Sequence, residues 1–242
     1  MPNILTSSAK DAIPLDLVTK AGLEEWIAGL DESARTWAKA NGFKAGVGAG
    51  ILMPGEGGAA AAAALGVERD DDFWAAGAGS RALPAWVYQI RTKLTKTQAT
   101  NAAVAWALGA YSFERYAVKP GGAARLVWPK GADRKIAQAM IDGVTLGRDL
   151  IVTPANDLGP AELAKAAKDL AKAHKAKFSV IVGDDLLKQN FPTIHAVGRA
   201  SARAPRLIDM TWGPAEGAPK VTLIGKGVCF DTGGLDLKPP AG

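Results

Sequence analysis

Apolar residues recur along this chain with two different rhythms. Residues 23–30 and 32–40 carry them at helical spacing, and Asn41-Gly42 ends the second stretch with a good C-terminal stop. Residues 43–53 read as a glycine-weakened strand before Pro54-Gly55. The alanine run 59–65 is expected to be helical on propensity alone. Residues 86–90 alternate roughly as a strand does. The stretch 97–116 predicts a helix whose wide apolar face includes Ala102, Trp106, Leu108, Tyr111 and Phe113. A last short strand at 124–128 precedes the breaker Pro129-Lys130-Gly131.

The second rhythm starts with a helix from about Asp133, with Ile136, Met140, Ile141 and Val144 toward one side. It must stop near Thr153, because Pro154 biases its predecessor away from helical geometry. Gly159-Pro160-Ala161-Glu162 opens another helix: proline suits the first position, and Glu162 complements the positive end. Strands at 178–182, 206–212 and 220–228, with a short helix at 184–189, give a βαβ-like alternation that argues for an α/β sheet. The expected architecture is α/β throughout. A small N-terminal α/β domain (1–131) is followed by a linker helix (132–153) and a second α/β domain from 154 to 242.

Composition narrows the function classes. Hydrophobic residues make up 48% and charged residues 22% of 242, a globular balance with enough chain for a real core. The single cysteine, Cys229, excludes an internal disulfide and a cysteine-built zinc site. His174 and His195 lie too far apart for a helical histidine pair. No basic stretch leads into an apolar one at the N-terminus, and the most apolar window, 45–67, is interrupted by Pro54, Glu56 and seven glycines. Neither a signal peptide nor a membrane span is read, and a cytoplasmic location is expected. The net charge of +5 is spread out; Lys165, Lys168, Lys172, Lys175 and Lys177 fall mostly at helical steps, as on a solvated face. No nucleic-acid motif accompanies them. His195 reads as a satisfied core histidine and His174 as solvent-facing.

Chemistry concentrates near the C-terminus, where a strand delivers Gly225-Lys226-Gly227, then Asp231, a Gly233-Gly234 turn and Lys238. Strand ends of open α/β sheets are where ligands bind. A Walker-type phosphate loop fails, because Gly227 follows Lys226 and the upstream glycine is misplaced. A dinucleotide fingerprint fails at Phe230. Two readings stay open on residue physics. One is a metal centre, in which Asp231 is a hard oxygen ligand and Lys226 joins it as a neutral amine. The other is a glycine-rich turn with an exposed lysine and a capping aspartate.

The run from Gly225 through Asp231 and Lys238 to Pro239 closely resembles the signature of the leucyl aminopeptidase family, two-metal cytosolic exopeptidases. Arg148-Asp149-Leu150-Ile151-Val152-Thr153-Pro154-Ala155-Asn156-Asp157-Leu158 is similar to that family's entry into its catalytic domain. His195-Ala196-Val197-Gly198-Arg199-Ala200-Ser201, followed by Pro205-Arg206-Leu207-Ile208, agrees in outline. The resemblance covers roughly 133–242, and the first 130 residues resemble only a short, diverged N-terminal domain. It implies that Lys226 is a metal ligand, that Asp231 bridges two divalent ions (Zn²⁺ or Mn²⁺, with Mg²⁺ as a further candidate), and that Lys238 faces the substrate as an electrophile. Peptide substrates, a homohexamer and a bicarbonate base in the complete site follow from the same resemblance.

There are departures. Thr232 and Asp236 stand where serine is common, and Cys229 replaces a frequent threonine, as a small inert hydrophobe in the buried strand. Asp236 reads as a turn or surface acid. The further acidic ligands and the arginine that the resemblance calls for lie beyond Gly242. One carboxylate and one lysine cannot fill two metal shells. The expectation is the front half of a longer metallopeptidase, its catalytic domain incomplete and the chain by itself inactive. The alternative is a non-catalytic fragment or pseudoenzyme subunit acting in assembly or nucleic-acid binding. Anion or nucleotide binding by the glycine-rich loop is a third possibility.

Overall fold

The structure, a computed structural model, describes residues 4–7, 10–69, 71–117, 121–213 and 217–229. They form two compact units, one running up to Arg148 and the other starting at Asp149. The first contains β1 (Leu5–Thr6), β2 (Ile13–Thr19), α1 (Leu23–Ala28), α2 (Glu32–Ala40), β3 (Gly50–Pro54), β4 (Ala60–Val67), α3 (Gly79–Ala82), β5 (Val87–Ile90), α4 (Lys96–Gly109), β6 (Arg125–Val127) and most of α5 (Arg134–Val152). Its sheet has the order β1-β6-β5-β2-β4-β3. Every neighbouring pair is parallel except β3 with β4. This is a mixed α/β architecture with a mostly parallel sheet, as the alternation of elements requires.

The alanine run forms a strand, not the expected helix. In β4, Ala63, Leu65 and Val67 face one layer, where they join Leu15, Leu17 and Trp106 in the main core. Ala64 faces the other, with Val18, Phe43 and Ala45. Burial on both faces beside two pairing strands outweighs the weak helical preference of alanine. Small side chains also let a loop lie on the strand. Gly66 donates to Ala49 O at 2.8 Å and accepts from Gly48 N at 2.9 Å. For this reason the strand read at 43–53 is confined to Gly50–Pro54: Ala45 and Gly48 adopt positive φ in that covering loop.

Helix α4 is buried on nearly all sides. Thr95 and Gln98 cap its start reciprocally, and Trp106 Nε1 donates to Ala124 O at 2.8 Å in the core. It ends at Gly109 instead of running to 116. Carbonyls that another turn would use are taken by guanidinium groups: Arg148 donates to Leu108 O at 2.7 Å, and Arg81 to Ala110 O at 2.8 Å and Tyr111 O at 3.1 Å. Thr100 accepts from Asp133 N at 2.9 Å and so ties the start of α5 to α4. On the other side of the sheet, Asp16 is 8% exposed and accepts from Arg91 Nε at 2.5 Å, Arg91 Nη2 at 2.6 Å and Trp26 Nε1 at 2.8 Å. A buried carboxylate on β2 is thereby fully partnered.

The second unit contains α6 (Pro160–Ala173), β7 (Lys177–Val182), α7 (Asp185–Lys188), α8 (Pro192–Gly198) and β8 (Arg206–Thr211). The βαβ-like expectation needs correcting, because β7 and β8 pair antiparallel, from Lys177 opposite Thr211 to Val182 opposite Arg206. The strand expected at 220–228 is also not formed. No described strand pairs with it, and Val221, Leu223 and Ile224 are 80%, 92% and 94% exposed. A strand exists only through a partner's backbone groups. Among the described residues, no helix is long and apolar enough to cross a membrane.

Strand β4 yields a direct test. A Cβ at residue 66 would run into the main chain of Ala45 and Gly46, which cannot swing aside as a side chain can. Gly66→Ala should cost about 1–3 kcal/mol of stability, the usual penalty for overpacking, read as a lower urea midpoint with an unchanged slope.

Candidate functional site

Three segments singled out in the sequence, at 148–158, 195–208 and 225–229, gather around the start of α6. Helix α5 ends as expected before Pro154, with Thr153 Oγ1 donating to Asp149 O at 2.6 Å. Asp157 N and Leu158 N then both donate to Pro154 O, at 2.9 and 3.0 Å, closing a turn. Arg203, between α8 and β8, crosses to this turn. Its Nη1 donates to Ala155 O at 2.7 Å and its Nη2 to Asn156 O at 2.8 Å. Gly198 belongs to the same assembly, since a Cβ there would overlap the Pro205 ring.

The start of α6 holds a half capping box, in which Glu162 Oε2 accepts from Gly159 N at 2.9 Å. The Glu162 carboxyl is held below the ordinary range, first by its own backbone N–H, then by that of Gly159. The charges of Arg203 and Arg206 add to this, against a desolvation that opposes it. Glycine is required at 159 because the Arg203 side chain passes where a Cβ would stand.

The segment carrying Lys226 lies against this turn. A Cβ at residue 227 would come within 2.8 Å of Leu163 Cδ2, so the glycine permits close approach of the main chain. Cys229 lies nearby. Burial first, then the charge of Glu162, pushes its thiol up, and Arg203 opposes them, leaving a poor nucleophile as expected. It does not sit in a buried strand, however, and is only partly covered. Lys226 itself is exposed and has no carboxylate partner among the described residues. Asp231, Lys238, Thr232, Asp236 and the Gly233-Gly234 turn lie outside the described residues. Among the described ones, no cluster of three acidic, histidine or cysteine side chains could hold a metal.

His195 is not a core histidine. Its side chain is 18% exposed and bonds Asp184 Oδ1 at 3.0 Å, so its polarity is satisfied from α7's leading edge. His174 is solvent-facing, as expected. Lys165 pairs with Asp169 at 2.6 Å on the exposed face of α6, as a solvated helix face does. Sequence reasoning missed Arg203. No spacing signals it, because its partners are two carbonyls 47 and 48 residues away.

Residues 145–242 match the catalytic domain of the cytosol aminopeptidase family, and residues 13–129 match the M17 aminopeptidase N-terminal domain. A probable cytosol aminopeptidase of Methylobacterium radiotolerans is 34% identical over 98% of this chain and 50% of its own length. The crystal structure of the Coxiella burnetii cytosol aminopeptidase matches with a TM-score of 0.88 and 39% identity, over 98% of this chain and 52% of that one. The bottromycin maturation enzyme BotP, solved in complex with Mn, shares the fold at a TM-score of 0.64 and 23% identity, over 86% of this chain and 46% of its own. The chain spans about half the length of these relatives.

The turn at 159–162 has a pH signature. With its carboxyl depressed in the folded state, Glu162 contributes stability above the ordinary carboxylate range and loses it as pH falls through the folded value. Glu162→Gln should therefore lower the melting temperature at pH 7. The gap from wild type should close below pH ~4; a gap that stays constant with pH would contradict the charge-assisted bond.

Proposed function

The chain belongs to the cytosol aminopeptidase family, and from that premise we propose that it carries part of a metal-dependent aminopeptidase releasing N-terminal residues from peptides. One observation carries the reading. Within the matched catalytic segment stands Lys226, then Asp231 five residues later, then Lys238 seven beyond that, and the first of these is exposed and unpaired among the described residues.

In this reading Lys226 would give an amine nitrogen and Asp231 a carboxylate to two divalent ions, for which Mn²⁺ and Zn²⁺ suit the mixed nitrogen and oxygen donors better than Mg²⁺. Such ions, when bound, supply Lewis acidity and a docking point for a free α-amine. Lys238 would be the electrophile that donates to the developing oxyanion. Recognition of the α-amine explains an exopeptidase, because only a chain terminus offers that group. The residues divide into an N-terminal domain (1–131), a linker helix (132–153) and catalytic-domain sequence (154–242). A cytoplasmic homohexamer, with bicarbonate as a base, belongs to the same reading.

The test is Asp231→Ala in the holoenzyme that contains this chain. Metal-dependent hydrolysis of aminoacyl amides should fall to background. Turnover at the wild-type rate would remove Asp231 from the site and the assignment with it.

A further inference from the structure

Strands β2 and β4 run parallel and in register, from Leu15 opposite Ala63 to Thr19 opposite Val67, so both end at one edge of the first unit's sheet. The carboxyl ends of such strands are where open α/β sheets take ligands. A cavity of about 560 Å³ lies there, lined by Lys20, Ala21, Ala45, Val47, Val67 and Glu68. Its size is that of a small-molecule pocket.

Each wall has its own support. Thr19 Oγ1 accepts from Gly22 N at 3.0 Å and closes the turn that carries Lys20 and Ala21. Opposite, the loop laid over Gly66 brings in Ala45 and Val47, held by Gly66 N to Ala49 O at 2.8 Å and Gly48 N to Gly66 O at 2.9 Å. Ala45 adopts a φ of 50° in that loop, a left-handed conformation that a residue with a Cβ rarely takes, and is 2% exposed. Strain of this kind concentrates at binding sites. Val67 is buried and Val47 is 70% exposed, so the apolar lining runs from a closed floor to an open rim.

Lys20 and Glu68 hold equivalent places, each one residue past the last paired position of its strand. Opposite charges on neighbouring strands ordinarily pair. These do not: neither side chain has an ion pair or a hydrogen bond among the described residues. Arg69, next to Glu68, is taken by Asp71 at 2.7 Å. A cation and an anion left unpaired around an apolar lining match a zwitterion with an apolar substituent.

We infer that this cavity binds a free apolar α-amino acid, with Lys20 receiving its carboxylate, Glu68 its ammonium, and Ala45, Val47 and Val67 its side chain. The inference stands on the cavity's own residues and not on the aminopeptidase reading, although a free amino acid is what that reading releases.

The experiment titrates L-leucine calorimetrically into the holoenzyme that contains this chain, as wild type, Lys20→Met and Glu68→Gln, with turnover of an aminoacyl amide measured in the absence of leucine. N-acetyl-leucine, which lacks the ammonium, and leucinol, which lacks the carboxylate, serve as single-charge probes. The expected result is a leucine-binding component that weakens roughly 5-fold or more in each variant, that neither probe reproduces, and whose loss leaves turnover unchanged. Both residues are exposed, so neither substitution threatens the fold. Variant isotherms that superimpose on wild type overturn the inference, as does equal binding of N-acetyl-leucine or leucinol to that component. A wild-type protein without turnover would remove the aminopeptidase reading alone, because the heat that depends on Lys20 and Glu68 is read without it.

Discussion

Burial on both faces of a strand is the constraint from which the described structure follows. In the first unit β4 meets it with alanines on alternate sides, one set packed toward α4 and Trp106, the other toward Val18 and Phe43. With both faces covered and both edges paired, the backbone has only the extended state available, whatever alanine prefers in isolation. The same requirement explains an α4 buried on nearly all sides, the loop laid on Gly66 and the fully partnered Asp16 on β2. The β7–β8 pair is different. Several of its residues are exposed, Val180 at 38% and Met210 at 45% among them. Residues 221–224 stay without a strand partner among the described residues.

Around the start of α6 the chain is drawn together by a set of close approaches enabled by glycine: Gly159 beneath Arg203, Gly198 beside Pro205, Gly227 on Leu163. Each removes a Cβ so that a neighbour can come nearer than van der Waals contact would otherwise permit. Three motifs spread over 80 residues of sequence are thereby drawn to one turn. Fixed main chain is what a binding constellation needs, since the reach of its side chains is set by where their Cα atoms are held.

Much of this was legible beforehand, for reasons that differ by element. Helices α2, α5 and α6 announce themselves through caps and stops that act locally: Asp31 accepts from Ala34 N, Pro154 ends α5, Pro160 and Glu162 open α6. Strand β4 was misread because its identity depends on two layers that local preference does not contain. Helix α4 was read too long because Arg81 and Arg148, distant in sequence, take its last carbonyls. Strand β2 went unread although its residues 15–18 are buried, since Asp16 interrupts the apolar run and its partners, Arg91 and Trp26, cannot be inferred from spacing. At the candidate site the motif could be singled out from its residue types. The mechanical support was not, because Arg203 bonds to carbonyls that every residue possesses.

The flanking glycines at 225 and 227 sharpen why such support matters. Glycine loses more conformational freedom on ordering than any other residue, and a long amine side chain adds about 2 kcal/mol of rotamer entropy. A lysine between two glycines is therefore the costliest kind of donor to hold still if the main chain is left to itself. Gly227 lies so close to Leu163 that a Cβ would stand 2.8 Å from Leu163 Cδ2, and main chain held there removes part of that cost before any ligand arrives. It also leaves the Lys226 side chain unencumbered. Packing the amine directly would have fixed it equally well, but would have covered it. Support from one residue away satisfies both requirements, which is the arrangement seen between Gly227 and Leu163.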